Sequence, residues 1–136
     1  MHSKVRLKLI HSPTLQPEDW LRFVWIEPFP GQWARLKLTE RDAQALEVLI
    51  VSAPRIGKAL AGTDGLRKAR FSVSDSNTGK SGAYRVFYVF LPEYGTVLLW
   101  AIIAKNQEGN LSKADRNAIA KEIRRLKHLL EQGIIR

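Results

Sequence analysis

Three strand-like runs follow one another between residues 66 and 104, and they limit the folds that this chain can adopt. The runs cover residues 66–73, 82–91 and 96–104. A loop of turn residues at 75–81 separates the first two, and residues 92–95 form a connection short enough for a hairpin. This order predicts neighbouring antiparallel strands. The most apolar run, 96–104, should be the central strand, covered on both faces for most of its length.

Alternation within these runs assigns side chains to the two faces of the sheet, because residues two apart share a face. In the first run, Lys68 and Arg70 should lie on the side opposite to the core residues Ala69, Phe71 and Val73. In the second run, the rule separates two sets, namely Ala83, Arg85, Phe87 and Val89 on one face and Tyr84, Val86, Tyr88 and Phe90 on the other.

The segment before these runs predicts one more strand and two helices. Residues 22–29 have a strand pattern that ends at two prolines, and residues 31–38 can hold a short helix. Thr39 and Asp42 have the spacing of a capping box at the start of the next helix, which Pro54 ends. The apolar face of this helix should contain Leu46, Leu49, Ile50 and Ala53.

A final basic helix follows the strands. Ser112 and Asp115 predict its N-cap, and its apolar stripe contains Leu111, Ile119, Ile123, Leu126 and Leu130. Together the elements predict an α+β fold: a single compact domain with a mainly antiparallel, twisted sheet, N-terminal helices and a C-terminal helix packed on it. We expect this domain to cover residues 21–136.

Residues 1–20 allow three interpretations. Val5, Leu7 and Leu9 alternate with basic residues, which is a strand pattern, and Pro13 and Pro17 then interrupt regular structure. The segment could be an edge strand, a loose basic arm or an upstream extension of the domain. We favour a poorly ordered N-terminal arm.

Composition excludes several classes of function. The 136 residues include no cysteine, so disulfides, thiolate catalysis and cysteine-bound metals are excluded. No apolar stretch is long enough for a membrane span, and we expect a cytoplasmic protein without cofactors. The net charge of +9 favours a polyanionic partner such as nucleic acid, an anionic membrane surface or an acidic protein.

The familiar catalytic patterns are absent from the sequence. The three histidines are scattered, no Gly-x-Ser-x-Gly segment occurs, and the acidic residues do not form a facing pair on strands. The segment Gly79-Lys80-Ser81 lacks the upstream glycine of a phosphate-binding loop and leads into a strand.

What remains is a cluster of cations on the predicted strands. Lys68 and Arg70 would face the strand that carries Arg85, with Lys80 on the loop before it and Lys105 at the end of the next strand. Like charges at this spacing repel one another, which favours a bound anion. Arginine can stabilise a phosphorane, and a lysine crowded by cations has a lowered pKa and can act as a base.

Simpler interpretations stay open for each of these features. Cations on an open sheet face can serve solubility alone, and the basic final helix is as readily a solvated face as a binding face. Tyr84 and Tyr88 are expected to be packing residues rather than catalytic groups. The tryptophans are expected to be core anchors, namely Trp20, Trp25, Trp33 and Trp100.

An ordered set of motifs resembles the RelE/ParE superfamily of bacterial type II toxins. The motifs are Gly-Thr-x-Gly-Leu-Arg-Lys-x-Arg from residue 62, Gly-Lys-Ser-Gly-x-Tyr-Arg-Val-x-Tyr from residue 79 and Ala-Lys-Asn from residue 104. In element order the resemblance covers roughly residues 23–130, and it is closest to the HigB-type branch. It implies a toxin of a toxin–antitoxin system, a ribosome-dependent and metal-independent endoribonuclease that cleaves translated mRNA and arrests growth.

The resemblance also implies roles for individual residues and partners. The catalytic set would be Lys68, Arg70, Lys80, Arg85 and Lys105, with Arg85 as phosphate stabiliser and Lys68 or Lys105 as base. We expect further RNA or ribosome contacts from Arg67, Asn106, Arg124 and Arg125. The implied partners are the ribosome with mRNA, a helix-turn-helix antitoxin of the HigA kind from the same operon, and operator DNA through that antitoxin; no membrane partner is implied.

Two features depart from the family pattern. The segment before Trp20 is longer than in typical members. In addition, no tyrosine follows Tyr94, and His128 is the one histidine near the C-terminus. Two alternatives to the nuclease therefore stay open. One is a ParE-like toxin that inhibits DNA gyrase and cuts no RNA, and the other is a noncatalytic nucleic-acid-binding module.

Overall fold

The computed structural model of the chain describes residues 3–7, 21–75, 80–107 and 109–133. The strands are β1 Ser3–Leu7, β2 Arg22–Ile26, β3 Lys58–Ala59, β4 Leu66–Asp75, β5 Lys80–Leu91 and β6 Thr96–Ala104. The helices are α1 Phe29–Arg35, α2 Glu40–Ser52 and α3 Lys113–Glu131, with single 3₁₀ turns at Pro92–Tyr94 and Lys105–Gln107. The predicted α+β class is confirmed.

The strands form one mixed sheet in the order β1-β2-β6-β5-β4-β3. β2 and β6 are parallel, and the other neighbouring pairs are antiparallel. β6 lies between β2 and β5, and its first four residues are buried. The central position predicted for 96–104 is therefore confirmed.

Helices cover the two faces of the sheet and create two apolar clusters. On one face α1 and α2 pack against alternate strand residues, among them Phe23, Phe71, Val86, Tyr88 and Leu99. On the other face α3 contributes Ile123, Leu126 and Leu130, which pack with Leu66, Val24, Val89, Leu91 and Leu98. The alternation predicted for the runs at 66–73 and 82–91 matches these faces. Among the described helices, none combines the length and apolar character that a membrane span requires.

Aromatic rings fill the core beneath α1. The ring centroid of Trp25 lies 4.8 Å from that of Phe29 and 5.3 Å from that of Trp33, both in edge-on arrangements. Phe29 and Trp33 are one helical turn apart, so both point at the sheet. The prediction that Trp25 and Trp33 are core anchors is confirmed, Trp20 lies outside the described residues, and Trp100 is only half-buried.

Both predicted capping boxes are present. At the start of α2, the Thr39 hydroxyl accepts a hydrogen bond from the Asp42 amide (3.2 Å), and the Asp42 carboxylate accepts one from the Thr39 amide (2.8 Å). At the start of α3, Ser112 and Asp115 make the same two bonds at 3.0 Å each. These bonds satisfy amides that have no partner within the helix.

Several boundaries differ from the sequence predictions. Ser3–Leu7, within the segment 1–20 for which we favoured a poorly ordered arm, forms an edge strand on β2, and residues 8–20 lie outside the described residues. Both ends of the loop predicted at 75–81 belong to strands, because β4 runs through Asp75 and β5 begins at Lys80; residues 76–79 lie outside the described residues. α1 starts at Phe29 with Pro30 in its first turn, where a proline is tolerated because that amide has no helical acceptor.

Candidate nucleic-acid interface

α3 covers only part of the sheet face against which it packs. The buried part of its apolar cluster ends at Leu66 on β4, Val89 on β5 and Leu98 on β6, and the half-buried Phe87 and Trp100 pack against its edge. Further along the same strands, the residues of this face are half-buried or exposed. We call this uncovered area the open face; it contains Lys68, Arg70, Arg85, Phe87, Ala101 and Ile103.

The strand register arranges the open face in two rows across β4, β5 and β6. Arg70 lies opposite Arg85, and Arg85 lies opposite Ile103. In the next row, Phe87 lies opposite Lys68 on one side and Ala101 on the other. Side chains directly opposite one another have Cβ atoms about 5 Å apart, and the rows are about 7 Å apart along the strands. The three cations therefore lie within the reach of one phosphodiester group and its neighbour.

Arg70 and Arg85 are the most closely opposed of these cations. Arg70 is exposed and Arg85 is half-buried. Like charges directly opposite each other on a sheet destabilise the fold, whereas two guanidinium groups can share the oxygens of one phosphate. The pair is thus a suitable anion site on rigid strands.

Lys105 and Asn106 lie at the end of the open face. They belong to the 3₁₀ turn Lys105–Gln107, which follows β6 directly, and both are exposed. Ala104, the last residue of β6, is opposite Tyr84, the neighbour of Arg85 in sequence. Lys105 therefore follows the end of the third strand, as predicted, and Asn106 comes next in the same turn.

Lys80 has a different position from the one predicted. It is the first residue of β5, in register with Asp75, and does not belong to a loop. Its backbone lies five residues before Arg85 in the same strand, which corresponds to about 17 Å. Lys80 is therefore not beside the opposed arginines.

Arg67 belongs to the opposite face of the sheet. Its guanidinium Nη1 donates hydrogen bonds to the carbonyl oxygens of Gly57 (2.7 Å) and Arg55 (3.3 Å). These carbonyls follow the end of α2, so Arg67 anchors that segment to β4. Arg67 therefore lies on the face opposite to Lys68 and Arg70, and its contact with RNA or the ribosome stays a prediction.

Arg124 and Arg125 lie in the second half of α3, away from the open face. Arg125 makes two hydrogen bonds to the Glu122 carboxylate, one from Nη2 to Oε1 at 2.6 Å and one from Nε to Oε2 at 3.0 Å. The bond from Arg125 lowers the pKa of Glu122, and Glu122 in turn raises the pKa of Arg125. The helix carries both arginines about 15 Å beyond its first turn. They do not join the cation rows.

Part of the first sequence motif has a structural role. The buried Thr63 hydroxyl donates to the carbonyl oxygen of Leu60 (2.6 Å) and accepts from the Leu66 amide (3.1 Å), which shapes the turn into β4. The Asp64 carboxylate accepts a hydrogen bond from Lys127 of α3 at 3.2 Å. Arg116 of α3 donates to the carbonyl oxygen of Ala61 at 2.7 Å. These contacts fix α3 beside the start of β4 and leave the open face accessible.

Tyr84 and Tyr88 are buried packing residues, as predicted. The Tyr88 hydroxyl donates to the carbonyl oxygen of Pro54 (2.8 Å) and accepts from the Gly57 amide (2.9 Å). Burial raises the pKa of Tyr88, although the bond from Gly57 and the charge of Arg67 oppose this shift. A Cβ atom at Gly57 would lie 2.9 Å from Cε1 of Tyr88, so only glycine allows this close approach.

An apolar cleft adjoins the cations, and the sequence predictions missed it. Its volume is about 360 Å³, and its lining includes Phe87, Trp100, Ala101, Ile103, Leu111 and Ile119. Trp100 is an extra residue in β6, because the register passes from Phe87–Ala101 to Tyr88–Leu99. Such a β-bulge redirects a side chain and is frequent next to functional sites. The shared face of Arg85 and Phe87 was the one signal of this cleft in the sequence.

Other kinds of site find little support among the described residues. No group of three histidine, aspartate and glutamate side chains there could hold a metal ion. His128 is exposed in the last turn of α3, away from Ile119, the residue of that helix that lines the cleft. No protein-family model matches this sequence.

Proposed function

We propose that the open face binds RNA phosphates and that the chain is a ribosome-dependent endoribonuclease, the toxin of a type II toxin–antitoxin system. The observation that carries this proposal is the direct opposition of Arg70 and Arg85, with Lys68 in the next row and Lys105 at the end of the adjoining strand. The motifs that resemble the RelE/ParE superfamily contain the same four residues.

The arrangement suits cleavage of RNA through its own 2′-hydroxyl. The 2′-oxygen attacks the adjacent phosphorus, the bond to the 5′-oxygen breaks, and the products are a 2′,3′-cyclic phosphate and a 5′-hydroxyl. Arg85, assisted by Arg70, would stabilise the negative charge that develops on the phosphoryl oxygens. Lys68 and Lys105 are our candidates for removing the 2′ proton and for supplying one to the departing oxygen. Each of these four residues lies on a strand or directly after one, which fixes its position.

The proposed function implies its partners and location. The protein would act in the cytoplasm on mRNA held by the ribosome, and an antitoxin encoded beside it would neutralise it. A helix-turn-helix antitoxin would also link the complex to operator DNA. An antitoxin segment that is acidic or apolar would complement an open face that carries both cations and an apolar cleft.

Controlled expression in bacteria tests the proposal. Wild-type protein should arrest growth and produce new mRNA 5′-hydroxyl ends inside translated codons, while Arg85→Ala should lose both effects and keep antitoxin binding. Removal of a charge-stabilising donor commonly reduces rates by about 10²–10³. Arg41→Ala changes an exposed arginine of α2 and is the matched control.

Three outcomes would contradict the proposal. Full toxicity of Arg85→Ala would remove Arg85 from the mechanism. Intact transcripts together with an induced DNA-damage response would favour gyrase inhibition. RNA binding with steep salt dependence and no cleavage would favour a noncatalytic binding module.

A further inference from the structure

We infer that the apolar cleft between α3 and the open face is a nucleobase pocket. In this arrangement, one base of a single-stranded RNA enters the cleft while its phosphate lies on Arg70 and Arg85. The inference rests on the proposed function for its substrate class, and it adds the part of the RNA that the protein recognises.

The cleft and the cations occupy neighbouring positions on the same strands. Phe87, which lines the cleft, is two residues from Arg85 on β5 and directly opposite Lys68 on β4. Ile103, another lining residue, is directly opposite Arg85. The cleft therefore has Arg85 beside it along β5 and across the β5–β6 pair, and Lys68 beside it across the β4–β5 pair. Residues two apart in a strand are separated by about 7 Å, close to the distance between a base and its own phosphate.

The lining has the chemistry that a base requires. Phe87 and Trp100 are half-buried, so each offers part of an aromatic ring to a flat ligand. Stacking of bases on aromatic side chains is the usual means by which proteins hold single-stranded nucleic acid. Asn110 also lines the cleft, and its amide can donate and accept hydrogen bonds at the edge of a base. The volume of about 360 Å³ lies within the range of small-ligand sites.

Charge complementarity selects this occupant over an apolar peptide side chain. A leucine or phenylalanine from a partner would fill the cleft equally well, but the same residue would bring no anionic group to the opposed arginines, for which a peptide needs a second, acidic residue. A nucleotide satisfies the apolar cleft and the cations together, because its flat base and its charged phosphate are joined by one sugar.

Binding of uncleavable oligonucleotides tests the inference. The probes are a fluorescent 2′-O-methyl RNA strand and the same strand with abasic sites, with dissociation constants measured by anisotropy. Wild-type protein should bind the base-bearing strand about ten to a hundred times more tightly than the abasic strand, the range that stacking on one aromatic site provides. Equal affinities for the two strands would overturn the inference.

Two variants separate the cleft from the cations. Ala101→Leu fills the cleft and should bring the ratio of the two affinities close to one, with little change in binding of the abasic strand. Arg70→Gln should weaken both strands alike. Ala59→Leu adds the same bulk to an exposed residue of β3 and is the matched control. Because added bulk can unfold a protein, Trp100→Leu is the second cleft variant, and thermal melting verifies that each variant is folded.

The remaining outcomes distinguish the pocket from the proposed function. If the protein cleaves translated mRNA but shows no preference for the base-bearing strand, the pocket is contradicted and the nuclease proposal stands. If the protein prefers the base-bearing strand but cleaves no mRNA, the nuclease proposal is contradicted and the pocket stands. If Ala101→Leu abolishes neutralisation by the antitoxin and leaves the base preference intact, the cleft is a protein-docking site and the inference is wrong.

Discussion

At the scale of single residues, Arg70 and Arg85 face each other across β4 and β5. This pairing lowers the stability of the fold but suits the binding of an anion. Opposed like charges on a sheet are destabilising, and an anion bound between them would offset this effect. The alternation of side chains in the sequence already predicted that Lys68 and Arg70 share a face. The same alternation could not predict that Arg67 donates hydrogen bonds to the carbonyl oxygens after the end of α2, because these groups become neighbours of Arg67 only on folding.

Arg70→Glu should stabilise the free protein and abolish RNA binding. The new carboxylate would lie opposite Arg85, which replaces repulsion by attraction and should raise the unfolding free energy by up to about 1 kcal/mol. Urea denaturation at low and high salt measures the effect, which should shrink in 1 M salt because salt screens exposed charges. A variant that is less stable than wild type at low salt would contradict the opposed arrangement of the arginines.

Tyr88→Phe should lower stability and leave any nuclease activity unchanged. The substitution leaves the Gly57 amide and the Pro54 carbonyl without their hydroxyl partner, and loss of a buried partner costs about 1–3 kcal/mol. Tyr94→Phe, at a half-buried tyrosine, is the control for the loss of a hydroxyl. The measurements are urea denaturation and a cleavage assay at a temperature where both variants are folded. Loss of activity without loss of stability would give Tyr88 a catalytic role.

At the scale of elements, caps were predictable and the bulge was not. Thr39 with Asp42 and Ser112 with Asp115 are local patterns, and the structure forms both capping boxes. The extra residue Trp100 depends on how β5 and β6 align over their whole length, which no local pattern contains. For a similar reason helical periodicity did not predict that Glu47 of α2 is buried, because carboxylates are expected on the solvent side.

The cap of α3 gives a prediction for stability. Ser112→Ala removes the acceptor for the Asp115 amide and should lower the unfolding free energy by about 1 kcal/mol. Ser52→Ala, at the exposed last residue of α2, is the control and should change little. Urea denaturation at neutral pH measures both. Equal stability of Ser112→Ala and wild type would show that the cap contributes nothing to the fold.

The same cap predicts a dependence on pH. The hydrogen bond from the Ser112 amide lowers the pKa of Asp115 below its ordinary value of 3.8. The pKa of Asp115 is lower in the folded state than in the unfolded state. The carboxylate therefore contributes its full stabilisation above the unfolded-state pKa, and this contribution is lost as the pH falls through the folded-state pKa. The stability difference between wild type and Asp115→Asn should therefore be present at pH 7 and shrink below about pH 4. A difference that stays constant down to pH 2 would contradict this account.

At the scale of the whole molecule, the helices cover the two faces of the sheet to different extents. α1 and α2 cover one face, whereas on the other face α3 covers the beginning of β4, the end of β5 and parts of β2 and β6. The sequence predicted a helix on the sheet but not where the helix would lie. That position depends on contacts such as Lys127 with Asp64 and Arg116 with Ala61, which join distant parts of the chain. The net charge of +9 predicts a polyanionic partner, and the open face is the site that we propose for it.

Our central proposal is that the open face binds the phosphates of translated mRNA for cleavage. Measuring cleavage in a reconstituted translation system tests this proposal most directly. Purified protein is added to ribosomes stalled on a defined mRNA, and the rate of appearance of 5′-hydroxyl ends is compared between wild type, Arg85→Ala and Arg41→Ala. We predict cleavage within the codon exposed in the ribosome, a rate at least about a hundredfold lower for Arg85→Ala, and an unchanged rate for Arg41→Ala. Equal rates for Arg85→Ala and wild type, or no cleavage by wild-type protein, would contradict the claim.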